Sequence, residues 1–282
     1  MPQMLWKQGV KVWADGSTLM GNIGISFEYI DSSTTRRVGI PAHSCGAMNY
    51  SAEQIAALLD RFAPSGWQVA IHVQGDRAFD IVADEIEKAL ERHGLTGADH
   101  RWRLEHCGAV TAEQFQRAAS LGLEVSLFPA LFYWWGEVMI GGLFSKKDGT
   151  NWSRTRSAFD AGLNPSFHND GTVTPPSPLL SIEAAMTRQT HAGNRVHARD
   201  QRVTPDQALA ALTINPARQV FRDHDLGSIE VGKRADLVAL SHDPYEVEPE
   251  ELSDTIDVIG TWIDGRRVEL DAATWVQTQP VN

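Results

Sequence analysis

Cysteine is scarce in this chain: among 282 residues only Cys45 and Cys107 occur, too few and too far apart for a disulfide framework or a Cys-x-x-Cys metal clip. That usage suits a reducing compartment, and the expected location is cytoplasmic. Positive charge is also in short supply, with 25 Lys and Arg against 36 Asp and Glu and a formal net charge of −11. The basic residues are scattered, so neither nucleic acid nor an anionic membrane finds the basic patch it needs. No apolar run approaches the roughly 18 residues of a membrane span. The start does not have the form of a signal peptide, and there is no fixed-period repeat or low-complexity tract. These absences leave a small molecule, neutral or cationic, as the expected partner. A chain 42% hydrophobic and 22% charged is an ordinary globular vehicle for it.

Apolar runs that read as buried strands alternate with segments of helical period. The runs lie near 6–13, 67–74, 101–106, 123–128 and 163–168. Between them Ile55, Leu58, Leu59 and Phe62 share one helical face behind a capping box at Ser51 and Gln54, and Phe79, Val82, Ile86 and Leu90 share another. Thr111 with Gln114 and Thr204 with Gln207 open further helices, and two more are expected near 152–161 and 178–190. Residues 14–50 and 131–150 lack periodicity and are expected to be long substrate-facing loops, the first acting as a lid. Toward the end the texture turns to short strands at 235–240 and 257–269, the second folded at an Asp264–Gly265 turn. The expected organisation is an α/β domain over 1–225, a small β segment over 226–270 and a loosely held tail over 271–282.

Four residues able to bind a divalent metal, Lys11, His72, His106 and Asp170, sit at or near the ends of the runs VKVWADG, WQVAIHVQGD, RWRLEHCG and NPSFHNDG. Taken singly, a His in an apolar strand is more often a hydrogen-bonded core residue and a Lys at a strand end a solvated charge. Their recurrence in successive strand-and-helix units matters because a parallel α/β barrel gathers residues from the carboxyl ends of different strands into one pocket. Imidazole with carboxylate suits zinc or another divalent first-row metal, one or two ions. Lys11 can join only with its amine neutralised, for which carboxylation is the chemical route. Phe128, Phe132, Tyr133, Trp134 and Trp135 offer either an apolar substrate wall or simple loop packing.

The segments KVWADGS, IHVQGDRAFD, RLEHCG, FHNDGTVTPPSPLL and LTINPARQVFRDHDLGSIEVGKRADLVAL resemble, in order and spacing, the amidohydrolase superfamily. The match is to its family 3 branch, related to N-substituted formamide deformylases. The resemblance implies a TIM-like (β/α)8 metal-dependent hydrolase barrel followed by a small β-sandwich segment. It implies hydrolysis of a carbon–nitrogen bond other than a peptide bond. It assigns His72 and His106 as metal ligands on the fifth and sixth barrel strands, Lys11 as an often-carboxylated ligand on the fourth, and Asp170 as both ligand and proton acceptor. His168 stands where this branch usually has Gly, and with Trp134 and Trp135 it is expected to face substrate.

The family's His-x-His pair and first strands have no counterpart here. The chain is therefore expected to be the C-terminal portion of a longer enzyme, with exposed sheet edges that drive homo-oligomer formation. Two other readings stay open: a hydrolase acting on an ester, lactone or phosphotriester, and a truncated, weakly active or non-catalytic barrel fragment. Should the chain build its site differently, His43 and His168 are the nearest substitutes.

Overall fold

The computed structural model describes residues 8–269. The expected tail over 271–282 and the first residues of the run at 6–13 lie outside the described residues. The five apolar runs form one parallel sheet in sequence order, β1 (Gly9–Trp13), β2 (Gln68–Val73), β3 (Arg103–His106), β4 (Glu124–Leu127) and β5 (Ser166–Phe167). Parallel neighbours need a crossover. The first contains α1 (Ser33–Val38) and α2 (Ala52–Phe62); the second is α3 (Asp76–Arg92) and the third α4 (Ala112–Ser120). The fourth holds α5 (Pro129–Met139), α6 (Lys146–Thr150) and α7 (Thr155–Asp160). After β5 come α8 (Pro178–Thr187), a hairpin of two-residue strands β6 (Gln189–Thr190) and β7 (Arg195–Val196), then α9 (Pro205–Ala210) and α10 (Ile214–Gln219).

The capping boxes read from Ser51, Thr111 and Thr204 are all formed at the starts of α2, α4 and α9. Strand parity then divides the sheet. Val69, Ile71, Val73, Leu104, Val125 and Leu127 are buried with Phe79, Val82, Ile86 and Phe115 from the helices, which makes this face the main core. The opposite parity carries Lys11, His72, Arg103, Glu105, Glu124, Ser126 and Ser166, with Trp13 and Ala70 among them, so the other face is mostly polar. Ionisable groups there are tolerated because they pair with one another, as Arg103 does with Glu105 along β3 at 2.8 Å.

Two expectations change. Residues 131–150 are mostly helix: PALFYWWGEVM is apolar on nearly every side, so it shows no amphipathic period, yet Pro129 at its first turn starts α5. Residues 14–50 are no free lid. Ile23, Ile25 and Tyr29 are fully buried against Phe132, Phe144 and Trp152 in a second core, and Tyr29 donates its hydroxyl to the Thr18 carbonyl at 2.9 Å.

The C-terminal strands form one antiparallel three-stranded sheet, β8 (Leu237–Leu240), β9 (Val258–Ile263) and β10 (Arg266–Arg267), with the short α11 (Leu252–Thr255) between the first two. Asp264 and Gly265, both at positive φ, make the expected tight turn. Among the described residues no helix is long and apolar enough to cross a membrane.

Candidate functional site

Register fixes where the candidate ligands stand. Trp13, His72, Glu105, Ser126 and Ser166 lie opposite one another across the five strands, and Lys11 lies in the next row toward the strand starts, opposite Ala70. His106 ends β3 and His168 follows β5, its amide donating to the Leu127 carbonyl at 3.0 Å. The imidazoles of His72, His106 and His168 consequently form a row at the carboxyl ends of the strands. Ring centroids are 4.3 Å apart for His72 and His106 and 4.7 Å for His106 and His168. Asp170 lies in the turn beyond β5, where its charge acts on Lys11, His72 and His168.

Backbone conformation at this end is costly. His106, Cys107 and Asp170 have φ of 74°, 50° and 50°, a left-handed region that costs about 1–3 kcal/mol per residue and persists where surrounding structure enforces it. The Cys107 amide, held to the Val73 carbonyl at 2.8 Å, supplies part of that enforcement.

Electrostatics keep the imidazoles uncharged. Burial lowers His72 below the usual histidine value against a 2.7 Å hydrogen bond between its Nε2 and the Gly16 carbonyl. His106 is lowered well below it by burial, then by His168 and His72. Burial brings His168 to about 4, although Glu105 and Asp170 act in the opposite sense. Lys11, exposed on the edge strand, is lowered by the protein around it despite the charge of Glu105. Glu105 would be raised by burial, but Arg103 and Lys11 outweigh that and hold it low.

Two residues not singled out by sequence belong here. Glu105 sets the field of the polar row from the position before His106. Asp15 is fully buried and accepts backbone N–H groups from Gln74, Gly75 and Gly24 at 2.9, 2.9 and 3.2 Å. Its Oδ1 is 3.6 Å from His72 Nε2, and burial raises its carboxyl to about 6 against those three bonds. The knot is tight: a Cβ on Gly75 would lie 1.9 Å from the Gly24 carbonyl oxygen. Both lie inside segments already quoted, Asp15 in KVWADGS and Glu105 in RLEHCG, but the ligand-type side chains Lys11 and His106 in the same segments drew the reading instead.

A cavity of about 130 Å³ opens beside the row, with His72, Gln74, Phe128, Leu131, Asp170 and Thr18 in its lining. Phe128 therefore serves as apolar wall. Trp134 packs with Phe128, Ala130 and Leu131 and lies 4.5 Å from the His191 ring, while Trp135 is partly exposed. Neither indole lines this cavity. Phe132 is buried under the Arg188 guanidinium at 3.9 Å. His43, exposed and bonded to Glu28 at 2.7 Å, stands apart from the row.

The donor set, neutral imidazoles and a carboxylate, fits a borderline divalent metal in its chemistry. Its present placement differs from a liganding one. Among the described residues no three His, Cys, Asp or Glu side chains are arranged to hold an ion, and His106 Nδ1 is instead 3.0 Å from His168 Nε2.

Comparison with known proteins decides the family. The model of the amidohydrolase family matches residues 3–269. The chain belongs to the amidohydrolase family. It is 37% identical over 220 residues to N-substituted formamide deformylase of Arthrobacter pascens, a match covering 78% of this chain and 40% of that protein. It is 27% identical over 268 residues to Protein LONG AFTER FAR-RED 3 of Arabidopsis thaliana, covering 95% and 44%. An uncharacterized metal-dependent hydrolase from Pyrococcus horikoshii OT3 superposes with a TM-score of 0.69 at 25% identity, covering 86% of this chain and 46% of that one. This amidohydrolase-family chain thus spans less than half the length of these relatives.

Proposed function

We propose that this chain carries metal-binding and proton-transfer residues of a hydrolase that cleaves a carbon–nitrogen bond other than a peptide bond in a small molecule. The observation that supports this most is the row of three neutral imidazoles, with Asp170 beside them, at the carboxyl end of a parallel sheet. In this reading His72 and His106 supply nitrogen ligands and Asp170 an oxygen. Lys11, once carboxylated, would supply an anionic oxygen pair as a further ligand. A divalent ion, zinc by preference, contributes Lewis acidity when bound, acidifying water and polarising a carbonyl.

Asp170, exposed at the cavity, accepts the proton from water and returns it to the leaving nitrogen. Phe128 and Leu131 keep one wall apolar, which strengthens each charge interaction across the cavity. Trp134 and Trp135 stand farther along α5, where a longer substrate would reach them. The activity named for the Arthrobacter relative makes N-substituted formamides the first class to try. In the same reading the five-stranded sheet is an arc of a TIM-like barrel spanning residues 1–225. Residues 226–270 form a sandwich segment, and the chain is a cytoplasmic homo-oligomer.

Zinc titration of the purified 282-residue chain, followed by assay against an N-substituted formamide panel, tests the proposal. Saturable zinc binding lost in His72→Ala, with formamide turnover lost in Asp170→Asn, is the expected result. A zinc isotherm unchanged by His72→Ala and His106→Ala overturns the metal site.

A further inference from the structure

The hydrogen bonds behind His106 form a chain that no ligand list contains. His106 Nδ1 lies 3.0 Å from His168 Nε2, and His168 Nδ1 lies 2.9 Å from Ser126 Oγ. Ser126 is buried on β4 and His106 on β3, while His168 is fixed to β4 through its amide. A neutral imidazole carries one N–H and one lone pair, so each contact needs one donor and one acceptor. The three groups are therefore coupled, and only two proton arrangements satisfy both contacts. If Ser126 donates, His168 carries its proton on Nε2 and His106 must carry its own there too. If Ser126 accepts, both rings are protonated on Nδ1 and the His106 Nε2 lone pair is left free.

We propose that His168 and Ser126 act as positioning residues that hold His106 in its Nδ1–H tautomer, so that His106 presents Nε2 as its ligand atom. The choice between the two arrangements rests on the metal reading above, since a ring protonated on Nε2 has no lone pair there. The coupling itself rests on the distances alone. His168 thereby acts behind a ligand and is not one. Groups that orient a liganding imidazole in this way typically change metal affinity about 10–100-fold when removed.

The test is tautomer spectroscopy on the metal-free 282-residue chain with ¹⁵N-labelled histidine at pH 7.5, repeated during zinc titration. His106 and His168 are expected as Nδ1–H tautomers. His168→Gln, whose amide oxygen can accept from His106 and whose amide nitrogen can donate to Ser126, is expected to keep the His106 tautomer and most of the zinc affinity. His168→Phe is expected to move His106 toward Nε2–H and weaken zinc binding by about 10–100-fold. Ser126→Ala, a smaller change, is expected to leave both rings as tautomer mixtures. An Nε2–H His106 in the parent chain overturns the proposal, as does a His106 tautomer indifferent to both His168→Phe and Ser126→Ala. A zinc-induced shift of His168 Nε2 as a direct ligand also overturns it. Failure of the metal reading looks different: zinc then leaves the His72 and His106 rings unmoved while the tautomers still answer the question.

Discussion

Asp15, fully buried, and His168, partly buried, are titratable groups with opposite pH signs. Burial holds His168 at about 4, below the ordinary histidine value of 6.5. Between those values the unfolded chain binds the extra proton, so stability falls as pH falls, by up to about 3 kcal/mol. Asp15 is raised from 3.8 to about 6. Between those values the native state binds the extra proton, so stability falls as pH rises. The two slopes oppose one another over pH 4 to 6. His72 and His106, both lowered, add to the histidine side. Denaturation midpoints measured from pH 7.5 to 4.5 are expected to drop modestly in the parent chain, more steeply in Asp15→Asn and less steeply in His168→Gln. At the reacting end, Asp170→Asn is expected to remove most turnover while costing less zinc affinity than His72→Ala, because an amide oxygen can still ligate but no longer accepts the proton. That His72, His106 and Asp170 fall at the same end of the sheet was legible in the sequence, because they lie at or near the ends of apolar runs. Glu105, Ser126 and Asp15 were not, since a polar residue pointing inward from a strand looks like any alternation.

Single elements explain where the sequence was readable. The Ser51, Thr111 and Thr204 capping boxes gave the starts of α2, α4 and α9 to the residue. The five strands fell inside the five apolar runs. Replacing any one of the cap residues with Ala is expected to cost about 1 kcal/mol, read as a shift in the urea midpoint at constant slope. α5 was missed for the opposite reason: a helix buried on most sides loses the periodicity that would announce it. The turn between β2 and α3 hides its constraint in another way. Gly75 has ordinary φ, and only the approach of the Gly24 carbonyl shows that it must lack a side chain. Gly75→Ala is expected to destabilise by about 1–3 kcal/mol through overpacking, and to loosen the amide that binds Asp15. Asp15→Ala, which strands three buried donors at once, is expected to cost more than Gly75→Ala in the same urea assay.

For the molecule as a whole, exposed apolar surface is unevenly spread. Val238, Ile259 and Ile263 of the three-stranded sheet, with Ile229 and Val231 before it, are all more than half exposed, and patches of that kind favour association. Sedimentation at rising concentration is expected to show self-association, reduced by Val238→Lys with Ile259→Lys. The parallel order of the main sheet has a kinetic consequence. No two of its strands can pair until an intervening crossover has closed, and such non-local pairing is intrinsically slow. The imidazole row draws on β2, β3 and the residue after β5, so it is complete only when the fourth crossover, with its three helices, has settled. On the proposed metal reading, an ion therefore has nothing to bind early in folding. It acts on the finished sheet, slowing escape from the native state and leaving the refolding rate nearly untouched.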